Sequence, residues 1–447
     1  MPALLLGTHI YFTIRLGFIQ KWIPKGIRLS FAPPVHSGND SAHWENFRQA
    51  DTPAGKSRAK GVSPYAALAT ALAATIGTGN IIGISTAIAI GGPGAVFWCW
   101  ITGVLGIATC YSECLLAMLH RTRDAQGRYL GGPMYVLKNG LHKKGLSGLF
   151  AIAAVLASFG MGSSVQSHSI QSAVTEHFTL SPHLIGIATA LLAGFVILGG
   201  IKQISKICAF FVPVMSIFYL AGCCWLLILN RHFLSATVCL IFRSAFSARS
   251  FAGGIGGTAV MLGIRTGISR GLFTNEAGLG SIPMAAAASD SSSPVIQSLI
   301  SMTGPFWDTV VICAITGLAI ISSILKNPAA YQDIPFDRLC FTAFSGLPFL
   351  GAEMLSVSLI LFAFATILGW CYYGECSVRF LLGEKGIKTY QILYLLFIYL
   401  GAAVPLNLVW GISDLLNALM ALPNLLCLWL LRKRVVQETR NANKPGS

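Results

Sequence analysis

The sequence predicts an all-α polytopic membrane protein. Of its 447 residues, 54% are hydrophobic and only 11% are charged, whereas about 25% of the residues of a soluble domain usually carry a charge. Apolar runs of about 17 to 25 residues, the length that a helix needs to cross the hydrocarbon core, recur along nearly the whole chain. Their number excludes a soluble domain with a single anchor, and a β-barrel would show short alternating segments instead.

About eleven apolar runs can be delimited, and we number them as spans one to eleven. The first has no basic residue before its apolar core and no small-residue cleavage site, so we expect a short span rather than a signal peptide. The spans cover 3–19, 65–90, 93–119, 147–175, 183–200, 207–229, 251–288, 298–325, 351–378, 389–407 and 411–431. The predicted parts of the chain are an extra first span (1–19), a cytoplasmic loop (20–64), a first five-helix repeat (65–229), a second five-helix repeat (251–431) and a cytoplasmic tail (432–447).

The basic residues are divided unequally between the loops. The net charge of +15 would point to nucleic acid in a soluble protein, but in a membrane protein the placement of the charges matters more. Lys and Arg are concentrated in 20–64, 120–146, 202–206, 379–388 and the tail. The positive-inside rule makes these segments cytoplasmic, with the N-terminus outside and the C-terminus inside. We therefore expect a lipid bilayer and no nucleic acid as partners, and the sequence carries no signal for an oligomeric state.

The side chains that usually carry enzyme chemistry form no recognisable motif. The 12 cysteines and 9 histidines lack the spacing of a zinc site, a disulfide framework or an H-E-x-x-H motif. A nucleophile motif and a phosphate-binding loop are also missing. We expect neither an enzyme nor a bound cofactor.

Two of the predicted spans are interrupted. Span two contains "TIGTGN" at 75–80, and span seven contains "GISRGLFTNEAGLG" at 267–280. Paired breaks in two halves of a chain are typical of inverted-repeat transporters, and an offset of five spans gives the halves opposite topologies. Spans two to six and seven to eleven are therefore the predicted repeats, with broken helices at 65–90 and 251–288.

A break at membrane depth predicts a buried polar site, because non-helical backbone is tolerated there only beside protein or a water-filled cavity. The free N–H groups of a half-helix attract a carboxylate, and unwound carbonyls can coordinate a small cation. Gly77 and Gly79 would let a ligand approach the backbone closely. The alternative is a helix-packing face, since Gly79 and Gly83 have the four-residue spacing that brings transmembrane helices together.

Four stretches carry a resemblance to a known family: "ATIGTGNIIGISTAIAIGGPGAVFWCWITGVLGIATCYSECLLA", "GRYLGGPMYVLKNGL", "RGLFTNEAGLGSIPMAAAA" and "FAFATILGWCYYGE". Together they resemble the alanine/glycine:cation symporters, also called sodium:alanine symporters, and the likeness covers nearly the whole chain. The resemblance implies a leucine-transporter-type fold in a bacterial or archaeal cytoplasmic membrane. It also implies uptake of a small neutral amino acid, alanine or glycine, by alternating access with Na⁺ as the coupling ion.

The resemblance also implies site residues. The substrate would be held by both breaks, a glutamine in span four and an aromatic residue in span nine; these residues are Thr75, Gly77, Thr78, Gly79, Asn80, Gln166, Phe273, Thr274, Asn275 and Trp370. Gly271, Glu276 and Gly278 also match the family's second broken helix. In the wider fold, Na⁺ lies between carbonyls of the first break and hydroxyls of the helix matching span nine. The implied ligands are the carbonyls of Ala73 and Ile76 and the hydroxyl of Thr366.

At two positions this sequence departs from the pattern of the family, and these departures leave alternative functions open. Ala365 stands where the family commonly has Ser or Thr, which removes one candidate oxygen from the Na⁺ shell and leaves a proton-coupled symporter or an uncoupled facilitator as alternatives. His168 stands where Asn is common, and it is either a proton-coupling group or a hydrogen-bonded packing residue.

Charged residues inside predicted spans usually face a cavity or a partner. We expect Arg270 and Glu276 to pair and hold the shape of the second break, with a role in gating as the alternative. Glu113 and Asp308 would balance an arginine or act as proton sites. The four-residue helical spacing predicts an ion pair between Glu375 and Arg379.

Overall fold

The computed structural model describes residues 2–31, 61–246, 255–332, 334–403 and 406–442. Most of the predicted loop 20–64 lies outside the described residues, as do small parts of the predicted second repeat and of the tail. The described chain is almost entirely helical. Its strands form one short antiparallel hairpin, β1 Thr122–Arg123 with β2 Tyr129–Leu130. We call the side of the molecule on which this hairpin lies the hairpin side.

The chain begins with a helix that is sharply bent. α1 Pro2–Arg15 is followed by a turn in which Gly17 and Phe18 have positive φ angles of 64° and 58°. A 3₁₀ turn, Ile19–Trp22, leads into α2 Ile23–Phe31, and the two halves enclose an angle of 69°. The predicted first span 3–19 coincides with α1 and the turn that follows it, and α2 occupies the start of the predicted loop.

The first predicted break is present at the expected residues. α3 Pro64–Thr75 begins where the Ser63 side chain accepts a hydrogen bond from Ala66 N (3.2 Å), with proline at the first helical position. Regular helix ends at Thr75, a π-helical turn covers Gly79–Gly83, and α4 Ile84–Gly91 continues after a bend of 50°. The prediction that "TIGTGN" interrupts the helix is confirmed.

The remaining helices of the first half follow without long connections. "GGPMY" begins a short helix, as predicted. The elements are α5 Gly94–Leu119, α6 Pro133–Tyr135, a π-helical stretch Val136–Gly140, α7 Lys144–Ala157, a π-helical stretch Ser158–Ser164, α8 Val165–Thr175, α9 Pro182–Ile197, α10 Gly200–Leu229, a 3₁₀ turn Arg231–Phe233 and α11 Leu234–Phe246.

The second half repeats the pattern of a broken helix followed by long helices. α12 Ile255–Asn275 ends within the predicted second break, and helix resumes at Ile282 after six intervening residues. The elements are α13 Ile282–Ala287, α14 Pro294–Ser301, α15 Thr303–Pro305, a π-helical stretch Phe306–Cys313, α16 Ala314–Lys326, 3₁₀ turns Pro328–Tyr331 and Phe336–Arg338, α17 Leu339–Phe344, α18 Gly351–Leu382, α19 Lys385–Ala403, α20 Leu406–Leu430 and α21 Arg432–Ala442.

The predicted number of eleven membrane spans is not confirmed. Six of the described helices are long and apolar enough to cross a membrane, or up to nine if each of three bent pairs counts as one span. α9 has only 16 residues, which is about 24 Å of helix against a hydrocarbon core of about 30 Å. α12 carries Arg265 and Arg270 and is followed by the short α13. A count of long apolar helices therefore leaves out the broken and the short ones.

Close packing fixes the second break beside α5. A Cβ at Gly267 would lie 2.3 Å from Ala95 O, and a Cβ at Gly271 would lie 2.0 Å from Thr102 Oγ1. Small residues permit such an approach between transmembrane helices. The first break lies beside α18 in the same way. α18 packs on α3 and also on α7, α8, α10 and α19.

On the hairpin side, the two broken helices are joined through their backbones. Val62, just before α3, donates from N to Ala288 O (3.1 Å) and accepts at O from Asp290 N (2.8 Å). Arg121 donates to three carbonyls after α13, those of Ala287 (3.3 Å), Ser289 (2.6 Å) and Ser291 (2.7 Å). The end of α13 is therefore held both to α3 and to the end of α5.

Candidate functional site

The first break is closed by one amide side chain. Asn80 Oδ1 accepts a hydrogen bond from Gly77 N (2.9 Å), and Asn80 Nδ2 donates to Asp308 at Oδ1 (2.6 Å) and at the backbone O (3.2 Å). Asp308 Oδ2 in turn accepts from the Thr309 hydroxyl (2.6 Å). All three side chains are buried. Asn80 therefore substitutes for helical hydrogen bonds and links the break to the π-helical stretch Phe306–Cys313.

The glycines of this break lie against side chains of the predicted site. A Cβ at Gly77 would lie 2.5 Å from Thr366 Oγ1, and a Cβ at Gly79 would lie 2.7 Å from Thr274 Cγ2. Neither distance is tolerated by a real Cβ atom. At Gly83, in contrast, a Cβ would meet only Arg270 Cδ, at 4.0 Å. The close contacts of Gly77 and Gly79 are thus with the site, while Gly83 does not provide the tight contact that the packing alternative predicts.

The second break has left-handed backbone at three positions, Glu276 (φ 52°), Gly278 (88°) and Gly280 (87°). The free peptide groups of Gly278 are bound by side chains from two other helices. Its N–H donates to Glu113 Oε1 (3.2 Å), and its carbonyl accepts from Asn424 Nδ2 (2.9 Å). Asn424 Nδ2 also donates to Glu113 Oε2 (2.8 Å). The buried carboxylate of Glu113 thus belongs to the structure of the break.

Glu276 does not form the predicted ion pair with Arg270. Its Oε1 accepts from Trp370 Nε1 (2.9 Å) and its Oε2 from Ser281 Oγ (2.5 Å). Glu276 has a positive φ of 52° directly after the end of α12. The guanidinium of Arg270 lies 5.8 Å from the centre of the Phe273 ring. Trp370, predicted to hold the substrate, is fully buried, and its ring nitrogen donates to the second break.

Two of the three predicted Na⁺ ligands, the Ile76 carbonyl and the Thr366 hydroxyl, lie together at the first break. Thr366 Oγ1 lies 3.3 Å from Ile76 O and 3.0 Å from Phe362 O. Ala73 is buried one turn before Ile76, where a Cβ at Gly369 of α18 would lie 2.7 Å from Ala74 N. Carbonyl and hydroxyl oxygens are the donors that a hard cation prefers. The donor set therefore fits Na⁺.

Buried polar atoms without a partner among the described residues mark the space beside this donor set. They include Gln166 Oε1 and Thr78 Oγ1. Gln166 Nε2 donates to Met161 O (3.1 Å), and its Oε1 lies 3.6 Å from the position of a Gly77 Cβ. Because buried polar groups nearly always have hydrogen-bond partners, these atoms are available to a polar ligand: Gln166 Oε1 as an acceptor and the Thr78 hydroxyl as a donor.

Most of the predicted site residues converge, and one faces elsewhere. Gly77, Gly79, Gln166, Thr274 and Thr366 lie around the first break, with Phe273 3.3 Å from the position of a Gly79 Cβ. The Thr75 hydroxyl donates to Leu72 O within its own helix (3.3 Å). Asn275 points away from this group. Its Oδ1 accepts from Ala277 N (3.0 Å), and its Nδ2 lies 3.8 Å from the position of a Gly106 Cβ.

The sequence revealed the buried acids but not their partners. Glu113 and Asp308 were predicted to balance arginines or act as proton sites. Neither forms an ion pair with an arginine among the described residues, and their hydrogen bonds are to Gly278, Asn424, Asn80 and Thr309. The sequence did not relate Asn424 to Glu113, because the two residues are 311 positions apart. A polar amide in an otherwise apolar span is the one feature that would have singled it out.

Two broken helices that lie against each other at a buried polar site, with Gly79 beside Thr274, are typical of helical membrane transporters. The solved structure of MhsT in complex with L-phenylalanine has the same fold, with a TM-score of 0.62 at 14% identity over 86% of this chain and 93% of that chain. It belongs to the leucine-transporter-type transporters, so the expected fold type is confirmed.

Residues 1–445 match the sodium:alanine symporter family. The chain is 42% identical to the sodium/alanine symporter AgcS of Methanococcus maripaludis, over 99% of this chain and 94% of the relative. It is 35% identical to the probable sodium/glutamine symporter GlnT of Bacillus subtilis, over 97% of this chain and 85% of the relative. The chain belongs to the sodium:alanine symporter family, as the resemblance predicted, and its relatives are transporters rather than enzymes.

Proposed function

We propose that the protein imports alanine or glycine together with Na⁺ by alternating access. The observation that carries the proposal is the meeting of Thr366 Oγ1 with Ile76 O, 3.3 Å apart, beside Gly77. This arrangement puts oxygen donors for a cation directly next to unwound backbone that can bind a carboxylate. Family membership and the sodium/alanine symporter of M. maripaludis support the choice of ion and substrate.

The substrate would bind with its two charged ends on different groups. Its carboxylate would lie at the start of the π-helical turn Gly79–Gly83, close to the bound Na⁺, with the Thr78 hydroxyl as a donor. The N–H groups of Ile76, Gly77 and Asn80 already have acceptors within the protein. Its ammonium group would donate to Gln166 Oε1. Phe273 lies beside Gly79 and would limit the size of the side chain. A cation adjacent to the carboxylate makes the binding of each favour the other, which is the energetic basis of symport.

The orientation is proposed from the charges of the hairpin side. Arg121, Arg123 and Arg128 lie in or next to the hairpin, and Arg379 lies near the same end of α18. The positive-inside rule assigns this side to the cytoplasm, in a bacterial or archaeal inner membrane, with the N-terminus outside and the C-terminus inside. A membrane potential of 100 mV would then contribute about 2.3 kcal/mol for each imported charge. Residues 65–229 and 251–431 are proposed as the two inverted repeats.

The test is uptake of labelled alanine and glycine into proteoliposomes under three conditions: an inward Na⁺ gradient, an inward proton gradient, and no gradient. We expect accumulation above equilibrium with the Na⁺ gradient alone. Uptake that only equilibrates under every condition would replace symport by an uncoupled facilitator, the alternative raised by Ala365. Absence of transport of either amino acid would overturn the proposed substrate.

Proton coupling is the second candidate, and Asp308 is the observation that favours it. The carboxylate of Asp308 is buried next to the first break, and its hydrogen-bond donors, Asn80 and Thr309, are neutral. Among the described residues no basic group lies within 4.0 Å of it. Accumulation driven by the proton gradient and lost in Asp308→Asn would establish this candidate. Na⁺-driven accumulation that persists in Asp308→Asn would exclude it.

A further inference from the structure

A polar cavity lies on the hairpin side, separate from the candidate site. Its volume is about 60 Å³, and its lining comes from the hairpin, from the ends of α13 and α18, and from the start of α10; it includes Arg128, Tyr129, Ala288, Tyr372, Glu375 and Arg379. A water molecule needs about 10 to 15 Å³ on this measure. The cavity therefore has room for several waters or for the polar part of a small molecule.

Opposite charges line this cavity one helical turn apart. Glu375 Oε1 accepts a hydrogen bond from Gln391 Nε2 (2.7 Å), which leaves Oε2 of the same carboxylate available to a ligand. Arg379 donates a hydrogen bond from Nε to Glu384 Oε1 (2.6 Å), which leaves both of its Nη groups available to a ligand. Glu375 and Arg379 do not form the ion pair predicted from their spacing; Arg379 pairs with Glu384 instead. The cavity thus offers a carboxylate and a guanidinium that are each only partly engaged.

The cavity lies in line with the candidate site along α18. Thr366 and Trp370 contact the two breaks, and Glu375 follows nine residues after Thr366. Nine residues of helix span about 13 Å, close to half of the hydrocarbon thickness of about 30 Å. Between them, the Tyr372 hydroxyl donates to Met284 O of α13 (3.4 Å), while Ala288 at the end of α13 lines the cavity. Movement of α13 away from α18 would therefore connect the candidate site with the cavity.

We propose that this cavity is a second binding station for the transported amino acid, on its way out to the hairpin side. The substrate class is a small zwitterion: Arg379 binds the carboxylate through its free Nη groups, and Glu375 binds the ammonium group. This inference rests on the proposed function, because it takes the same substrate at a later point of the same path. A guanidinium fork suits a carboxylate, and a matched pair of charges excludes molecules that lack either end.

The test compares the two faces of the protein in proteoliposomes with a known orientation. Exchange of labelled alanine is measured with the variable alanine concentration on the hairpin side, and then on the opposite side. For Arg379→Gln and Glu375→Gln we expect the half-saturating concentration on the hairpin side to rise at least fivefold. The value on the opposite side stays within twofold of wild type, which also shows that the variants fold.

Glu384→Gln is the matched control, because Glu384 is the exposed ion-pair partner of both Arg128 and Arg379 and does not line the cavity. We expect it to leave both half-saturating concentrations unchanged. If Glu384→Gln reproduces the effect of Arg379→Gln, the arginine serves only to hold the α18–α19 turn, and the proposal is overturned.

Substrate analogues give a second measurement that a purely structural role would not alter. Alaninamide lacks the carboxylate and lactate lacks the ammonium group. On the hairpin side, Arg379→Gln should lose the preference for alanine over alaninamide, and Glu375→Gln the preference for alanine over lactate. If the variants keep both preferences, the second binding station is overturned. Normal alanine exchange from the opposite side would then still support the proposed function. Loss of alanine exchange by the wild type on both sides would overturn both.

Discussion

Trp370 Nε1 donates a hydrogen bond to Glu276 Oε1 over 2.9 Å, which ties α18 to the second break. One turn earlier on the same helix, the Thr366 hydroxyl lies 3.3 Å from Ile76 O of the first break. Both broken helices therefore contact α18 within a single helical turn. A ligand that changes the position of Thr366 must also change the geometry at Glu276, because a helix is stiff over this distance.

Removal of the Thr366 hydroxyl should weaken Na⁺ binding more than substrate binding. Thr366→Val keeps the shape of the side chain and deletes one proposed ligand oxygen. We expect the half-saturating Na⁺ concentration for alanine uptake to rise about tenfold or more, since an unmet buried polar group costs about 1–3 kcal/mol. Ser358→Ala is the control, because the Ser358 hydroxyl on the same helix only donates to Met354 O (2.8 Å). An equal effect of both variants would assign the loss to the helix rather than to the ion.

Gly77 and Gly83 should differ sharply in their tolerance of alanine. A Cβ at Gly77 would lie 2.5 Å from Thr366 Oγ1, whereas a Cβ at Gly83 would come no closer than 4.0 Å to Arg270 Cδ. Gly77→Ala is therefore expected to lower alanine uptake at least about a hundredfold, since misplacement of a binding group by about 1 Å has effects of this size. Gly83→Ala should remain within about twofold of wild type. Uptake rates normalised to the amount of reconstituted protein provide the measurement, and similar rates for the two variants would contradict the assignment of the first break.

Glu113→Gln should destabilise the protein by about 1–3 kcal/mol. The new amide keeps an oxygen for Gly278 N but turns an NH₂ group towards the NH₂ of Asn424, so that two donors face each other. Thermal unfolding in detergent measures the effect as a lower melting temperature. Glu353→Gln, at an exposed position in the first turn of α18, is the control and should leave the melting temperature unchanged. No decrease for Glu113→Gln would mean that Glu113 does not hold the second break.

The contact between the end of α5 and α21 should weaken in acid. Burial lowers the pKa of His120 below its usual 6.5, with a smaller contribution from the nearby charge of Arg434. Neutral His120 accepts at Nε2 from Arg434 Nη1 (3.0 Å). Since the pKa is lower in the folded protein, this stabilisation is complete above pH 6.5 and is lost as the pH falls below it. The melting temperature should therefore fall more between pH 7.5 and about 5.5 in wild type than in His120→Gln; an identical decrease would exclude His120 as the titrating group.

The sequence predicted the features of the site that local backbone chemistry determines. Two glycines and a side-chain amide within six residues of an apolar run located the first break to within a few residues. The family resemblance then singled out Thr366, which lies 290 residues from its partner Ile76.

The features that the sequence did not predict depend on which helices become neighbours. Asn80 and Asp308 are 228 residues apart, and no periodicity relates them. The pairing of Glu276 with Arg270 was wrong because charge and spacing say nothing about a left-handed residue at the break. The predicted ion pair between Glu375 and Arg379 was wrong for a related reason. Glu375 binds Gln391 of α19, and Arg379 binds Glu384, which directly precedes α19.

The main-chain pairing of Val62 with Ala288 and Asp290 has a consequence for how the hairpin side can open. The residues just before α3 and just after α13 share two hydrogen bonds that involve no side chain, so substitutions of these residues leave the linkage intact unless they introduce proline at a donor position. We therefore expect α3 and α13 to move together if the hairpin side opens. Such an opening would be one displacement of both half-helices rather than the coincidence of two independent movements.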